Sequence, residues 1–107
     1  MEVRQYDNFW TNLDPAVGSE ISKTRPCVII SPDEINANIR TVVVAPLTTA
    51  YRNYPTRIPV VIGGKKGWIV IDQIRTIDKA RLQQKIGSVA QQTAIKIKQV
   101  MKETFVD

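Results

Sequence analysis

Thr41-Val42-Val43-Val44-Ala45-Pro46-Leu47 is an apolar run that barely alternates. A strand with one face in water alternates polar and apolar residues, so this run predicts a strand covered on both faces, at the centre of the fold. Shorter runs of the same kind surround it, separated by turn residues. Tyr6 to Leu13 predicts a first strand that ends at the turn-initiating pair Asp14-Pro15, and Cys27 to Ser31 a second, stopped by Pro32-Asp33. The central run is the third. Arg57 to Ile62 is a fourth, ending at Gly63-Gly64, Trp68 to Ile71 a fifth, and a short sixth falls around Lys85 to Gly87. Beyond these the period changes. Ala90, Ala94, Ile97, Met101 and Phe105 recur at helical spacing, which predicts an amphipathic helix over about residues 89–103, with Ser88 and Gln91 in the relation of a capping box. A shorter helical turn is expected over about 78–82, with Asp78 as its N-cap. So few helices cannot supply the crossovers of a parallel doubly wound sheet. The expected fold is mainly β with a C-terminal helix (α+β): one small antiparallel barrel domain spanning residues 1–107, with its strands, the short sixth aside, within about 6–76.

Composition narrows the chemistry. The chain has 107 residues, 43% of them hydrophobic, a content that supports one core and argues against disorder. No apolar stretch approaches the roughly 20 residues that span a bilayer. The N-terminal Met-Glu-Val-Arg-Gln-Tyr-Asp is too polar for a signal peptide, so a cytoplasmic protein is expected, with no membrane partner. One cysteine, Cys27, forbids an internal disulfide. The absence of histidine removes most transition-metal sites and every Ser-His or Cys-His dyad, so neither a metal nor a cofactor is expected. Carboxylates, Arg, Lys, hydroxyls and backbone dipoles remain.

The net charge of +5 is unevenly placed. Between Ile35 and Ile71 there is no Asp or Glu, while Arg40, Arg52, Arg57, Lys65 and Lys66 lie there, and the rest of the chain is neutral. Clustered cations favour a polyanion, because they displace counterions from phosphates. A solvated surface that happens to lack acids is the alternative.

Three places join polar residues to strand ends. In Lys23-Thr24-Arg25-Pro26, proline keeps Arg25 out of the helical region and marks a strand entrance, from which a guanidinium fork can meet a phosphate or simply cover apolar neighbours. In Pro46-Leu47-Thr48-Thr49, two hydroxyls sit where the central strand ends, able to point at a ligand or to bond nearby backbone. Asp72-Gln73 closes the fifth strand with a carboxylate that could be a cap, an arginine's partner or a proton carrier. Glu20, in the first loop, is a weaker candidate. Cys27 reads as a small core residue, Trp10 and Trp68 as core or interface anchors with base stacking as the lesser alternative, Ile97-Met101-Phe105 as helix packing, and Gly63-Gly64-Lys65-Lys66-Gly67 as a hairpin turn.

Together these places resemble the MazF/PemK/Kid family of toxin endoribonucleases over nearly the whole chain. The matching stretches are Leu13-Asp14-Pro15-Ala16-Val17-Gly18-Ser19-Glu20, then Lys23 to Ser31, Val44 to Thr49, and Asp72 to Leu82. The resemblance implies an SH3-like barrel of the MazF/CcdB/Kid type that acts as a homodimer. It implies metal-independent, sequence-specific cleavage of single-stranded RNA, including messenger RNA, and a cognate MazE-like antitoxin whose acidic disordered tail fills the RNA groove. By matching position, Arg25 and Thr48 are similar to the family's main catalytic pair. Ser19, Glu20, Lys23, Thr49, Arg52, Asp72 and Gln73 fall where RNA is expected. Kid-like members use a histidine in the first loop and an arginine two residues before the Asp; here there is no histidine and Val70 takes the arginine's place. That demotes Asp72 to positioning.

The chemistry such an activity needs can be stated from the substrate. Cleaving RNA without water requires the 2′-hydroxyl to attack the adjacent phosphorus, which leaves a cyclic phosphate and a 5′-hydroxyl. Arg25 can stabilise the phosphoryl oxygens and Thr48 can position the phosphate or the 2′-hydroxyl. Two readings of other classes remain: a CcdB-like inhibitor of gyrase, although that contact uses a Trp-Gly-Ile ending and this chain ends Thr-Phe-Val-Asp, and a non-catalytic RNA-binding barrel.

Overall fold

The computed structural model describes residues 1–106. Seven strands form one antiparallel sheet: β1 (Asp7–Asn12), β2 (Thr24–Ile29), β3 (Thr41–Thr48), β4 (Arg57–Ile62), β5 (Lys65–Val70), β6 (Arg75–Asp78) and β7 (Leu82–Ser88). The order across the sheet is β4-β5-β3-β2-β1-β7, with β6 added to β3. A short helix α1 (Asp33–Asn38) links β2 to β3, and α2 (Gln91–Phe105) closes the chain. Single 3-10 turns at Ile71–Gln73 and Lys79–Arg81 separate the later strands.

The central run behaves as its lack of alternation demands. β3 pairs with β6 along Thr41 to Val44, with β2 along Val44 to Pro46 and with β5 at Leu47 and Thr48. It divides two cores. Ala45 and Leu47 face one, with Val28, Ile58, Ile69, Ile71, Ile97 and Val100, while Val42 and Val44 face the other, with Phe9, Leu13, Cys27, Ile29 and Ile77. The alternation runs along β2 as well, where Cys27 and Ile29 belong to one core and Val28 to the other.

Several expectations shift. β2 begins at Thr24, ahead of the expected Cys27, so Arg25 and Pro26 are inside the strand. Pro26 stands opposite Trp10 of β1, while the ladder to β3 begins only at Cys27. A strand paired on one side only is where proline is tolerated. β5 starts at Lys65, earlier than Trp68, because Gly63 and Gly64 (φ +59° and +80°) make a two-residue turn that pairs Ile62 with Lys65 directly. α1 and β6 are additions that the sequence reading lacked. α1 is too short to show a period, and it is held by side chains: Ser31 Oγ donates to Asn36 Oδ1 at 2.6 Å and Asn36 Nδ2 donates to the Ser31 carbonyl at 2.8 Å. β6 is four residues with a single buried one, Ile77.

The terminal helix begins two residues later than expected, at Gln91. The expected capping box does not form: the N-cap is Ala90, with no side-chain hydrogen bond, and Ser88 is in β7 with its hydroxyl donating to Asp7 Oδ1 at 2.8 Å. Its buried residues are Ile97 and Val100, whereas Phe105 is exposed. The Asp78 cap does form, accepting from Ala80 N at 2.8 Å. Among the described residues no helix is long and apolar enough to cross a membrane.

Candidate nucleic-acid cleavage site

Where the β2–β3 ladder ends, the two strands part. Its pairs run Ile29 with Val44, Val28 with Ala45 and Cys27 with Pro46. Continued by two residues, the same register sets Arg25 opposite Thr48, past the last paired positions. β2 then stays with β1, where Arg25 pairs with Thr11, and β3 turns to β5, where Thr48 pairs with Trp68. The divergence opens a cleft of about 410 Å³ whose walls include Arg25, Thr48, Thr49 and Lys23. Trp10, Leu47, Ile62 and Ile86 make its apolar part, and Lys65 and Lys66 stand at its edge. A charged fork and a hydroxyl thus face one hollow, flanked by cations.

Arg25 is half-buried. Among the described residues its side chain makes one hydrogen bond, from Nε to the Ser22 carbonyl at 3.1 Å. That bond fixes the guanidinium plane through one nitrogen and leaves the terminal amino groups to bridge two oxygens of a phosphate. Thr48 is half-buried too, and its Oγ1 accepts from Ala50 N at 3.1 Å. A hydroxyl that accepts from backbone keeps its own proton to donate. Gly67 sets the approach of β5 to this residue. A Cβ there would stand 3.0 Å from the Thr48 carbonyl oxygen, so any larger residue would push the end of β3 away.

The other expected residues, Arg52 apart, fall in a second hollow of about 390 Å³, lined by Ser19, Glu20, Asp72 and Gln73 together with Pro46 and Arg75. Gln73 is the organiser here. Its Oε1 accepts from Ile21 N at 2.8 Å and its Nε2 donates to the Ser19 carbonyl at 3.4 Å, which ties the loop between β1 and β2 to the end of β5. Arg75 Nη1 donates to the Leu13 carbonyl at 3.1 Å, and Asp14 Oδ1 accepts from Lys23 N at 2.8 Å. Lys23 itself takes a left-handed φ of 70°. Glu20 turns inward on its own loop, accepting from Val17 N at 2.5 Å. The loop that carries Ser19, Glu20 and Lys23 is therefore tied at both ends.

Asp72 has an arginine after all, from a different strand. Arg57 of β4 lies directly opposite Val70, and its Nε and Nη2 donate to Asp72 Oδ1 and Oδ2 at 3.0 and 3.2 Å. Thr56 Oγ1 adds a bond to Oδ1 at 2.8 Å. Partial burial pushes the carboxyl's pKa up, but the bonds from Arg57 and Thr56 outweigh it and hold Asp72 below the usual carboxylate range. A carboxylate held this way is a weak base, which fits a positioning role. Sequence spacing missed Arg57 because the pair crosses a hairpin.

Two further departures concern the expected residues. Arg52 lines neither hollow; it is exposed, with Nη1 on the Tyr51 carbonyl at 2.8 Å. Trp10, expected in a core or an interface, is 39% exposed in the wall of the first cleft. Cys27 lies in the core as expected, where burial pushes its thiol up to about 12, so it carries no thiolate at neutral pH. Among the described residues no group of three or more His, Cys, Asp or Glu side chains is placed to hold a metal ion.

Comparison with known proteins bears on the family and the fold. Residues 4–105 match the family model described as PemK-like, MazF-like toxin of type II toxin–antitoxin systems. The endoribonuclease MazF of Staphylococcus epidermidis is 34% identical over 101 residues, covering 89% of this chain and 84% of that protein. The crystal structure of MazF from Deinococcus radiodurans is similar in fold, with a TM-score of 0.86, 19% identity and 96% of each chain covered. A mycobacterial endoribonuclease solved in complex with its cognate antitoxin superposes with a TM-score of 0.80 at 24% identity, over 94% of this chain and 92% of that one.

Proposed function

The chain belongs to the PemK-like, MazF-like toxin family of type II toxin–antitoxin systems, and from that premise we propose that it is an endoribonuclease toxin that cuts single-stranded messenger RNA at short sequence motifs, without a metal or cofactor and independently of the ribosome. In this reading it works in the cytoplasm as a homodimer, inhibits translation and growth, and is neutralised by a cognate MazE-like antitoxin whose acidic tail competes for the basic cleft.

The observation that carries the reading is the position of Arg25 and Thr48 across the parted end of the β2–β3 ladder, on one cleft flanked by Lys23, Lys65 and Lys66. Arg25 takes two non-bridging oxygens of the scissile phosphate and stabilises the charge that grows on them, an effect worth several kcal/mol in a site poor in water. Thr48 donates its hydroxyl proton to the phosphate or accepts from the 2′-hydroxyl, and so holds the nucleophile in line. The O2′–P bond forms as the P–O5′ bond breaks. The 2′-hydroxyl gives up its proton, the departing 5′ oxygen gains one, and the products are a 2′,3′-cyclic phosphate and a 5′-hydroxyl. Single strands suit the cleft because their bases are free to splay. Ser19, Glu20, Lys23, Thr49, Arg52, Asp72 and Gln73 contact or position the strand, with Gln73 acting through the loop it ties.

The test is to incubate the purified protein with a long single-stranded RNA in EDTA and to map the ends. Discrete fragments that accept a kinase-delivered 5′ phosphate without prior dephosphorylation are expected. Intact RNA with salt-sensitive binding would favour the non-catalytic barrel, and cleavage only on addition of a divalent metal would overturn the mechanism.

A further inference from the structure

The strand that carries Thr48 faces an aromatic surface outside both hollows. Thr48 and Trp68 are direct partners in the β3–β5 ladder, and directly opposed residues of an antiparallel pair project to the same side of the sheet. Tyr51, three residues past Thr48, meets Trp68 edge to face, with ring centroids 5.3 Å apart and planes at 60°. Tyr51 is nevertheless 59% exposed, so much of the ring meets solvent. Further along the same loop Tyr54 is 54% exposed and packs beneath the Arg57 guanidinium, 5.3 Å from its ring centroid. Arg57 in turn is fixed on Asp72. Both tyrosines are thus exposed in area yet braced from behind.

The charge around them selects the occupant. The tyrosines lie within the segment from Ile35 to Ile71 that has no carboxylate, and Arg52 stands between them. Asp72, the acid that Arg57 reaches, is paired with that arginine. Flat rings next to cations suit a base followed by its phosphate. We propose that Tyr51, braced on Trp68, is a stacking surface for a nucleobase flanking the phosphate held by Arg25 and Thr48. This rests on the nuclease reading and deepens it by naming a residue that helps choose where the strand is cut. Rigid aromatic rings suit that role, because they present a large face with little conformational freedom to lose.

The test uses an RNA oligonucleotide centred on a mapped cleavage site, with 2′-deoxyribose at the scissile nucleotide so that it binds without being cut. Tyr51→Ala is expected to weaken binding about 10-fold, within the range for loss of one base–aromatic stack. Tyr51→Phe, which keeps the ring, is expected to restore it. An abasic site at one flanking position should weaken the wild type by a similar factor and cost Tyr51→Ala nothing further. Undiminished binding by Tyr51→Ala, or losses from the variant and the abasic site that multiply independently, would overturn the proposal. So would a sedimentation shift from dimer to monomer in Tyr51→Ala, which would make this surface a subunit interface. The two readings fail separately: a transcript that yields no cleavage site to map refutes the nuclease reading before this test, whereas a mapped site with undiminished binding by Tyr51→Ala refutes the stack alone.

Discussion

At the scale of single residues, Asp72 owes its charge state to its bonds with Arg57 and Thr56. Its pKa in the folded chain lies below the ordinary carboxylate value because Arg57 and Thr56 bond the ionised form more strongly than partial burial opposes it. A group whose pKa falls on folding adds stability above its unfolded pKa and loses it as the pH drops through the folded value. Asp72→Asn should therefore melt below the wild type at neutral pH, and the gap should close on acidification below about pH 4. Thermal melts across that range measure it; a gap independent of pH would mean that the bonds are merely spatial. The partner of Asp72 was not legible from the chain, since Arg57 and Asp72 meet only because the turn at Gly63-Gly64 sets Arg57 against Val70. Cys27 was legible, because a thiol between Pro26 and Val28 in an apolar run has no base to serve.

At the scale of elements, the reading by period succeeded where burial is two-sided or the helix is long. β3 was readable because both of its faces are covered, and β4 because turns delimit it. α1 and β6 were not, being too short for a period and held by side-chain bonds or by pairing with β3. Likewise the start of β2 was hidden by Pro26, a residue that marks a strand's end when seen alone but here sits on its singly paired part. α2 shows what local signals miss. Ser88-x-x-Gln91 has the spacing of a capping box, yet tertiary pairing claims Ser88 for β7. The helix is left with Ala90 as N-cap, in extended backbone (φ −62°, ψ 153°), with no acidic residue in its first turn. Ala90→Asp should supply both the missing cap and a favourable charge at the positive end of the helix, for about 1 kcal/mol of added stability. Denaturant titration should show the midpoint rise with an unchanged slope; an unmoved midpoint would mean that water already satisfies those N–H groups.

At the scale of the whole molecule, the sheet order turns four separate stretches of sequence into two adjoining hollows. The end of β3 divides them, with Pro46 lining one and Leu47, Thr48 and Thr49 the other. The candidate residues could be picked out as types at strand ends, but their division between a cleft and a loop-tying hollow could not, since it depends on where β2 and β3 part. Nor does the positive charge act as one patch. Lys65 and Lys66 flank the cleft, Arg57 is spent on Asp72, and Arg40 stands just before β3 at the end opposite Thr48. The central claim is that Arg25 and Thr48 together form the cleavage centre. Single-turnover cleavage of a mapped RNA by wild type and Arg25→Ala, with circular dichroism to verify that both are folded, tests it most directly. A fall of about 100-fold or more in the rate is expected, the range for removing a preorganised donor from a developing oxyanion. A folded Arg25→Ala that cleaves within a few-fold of the wild type would contradict it.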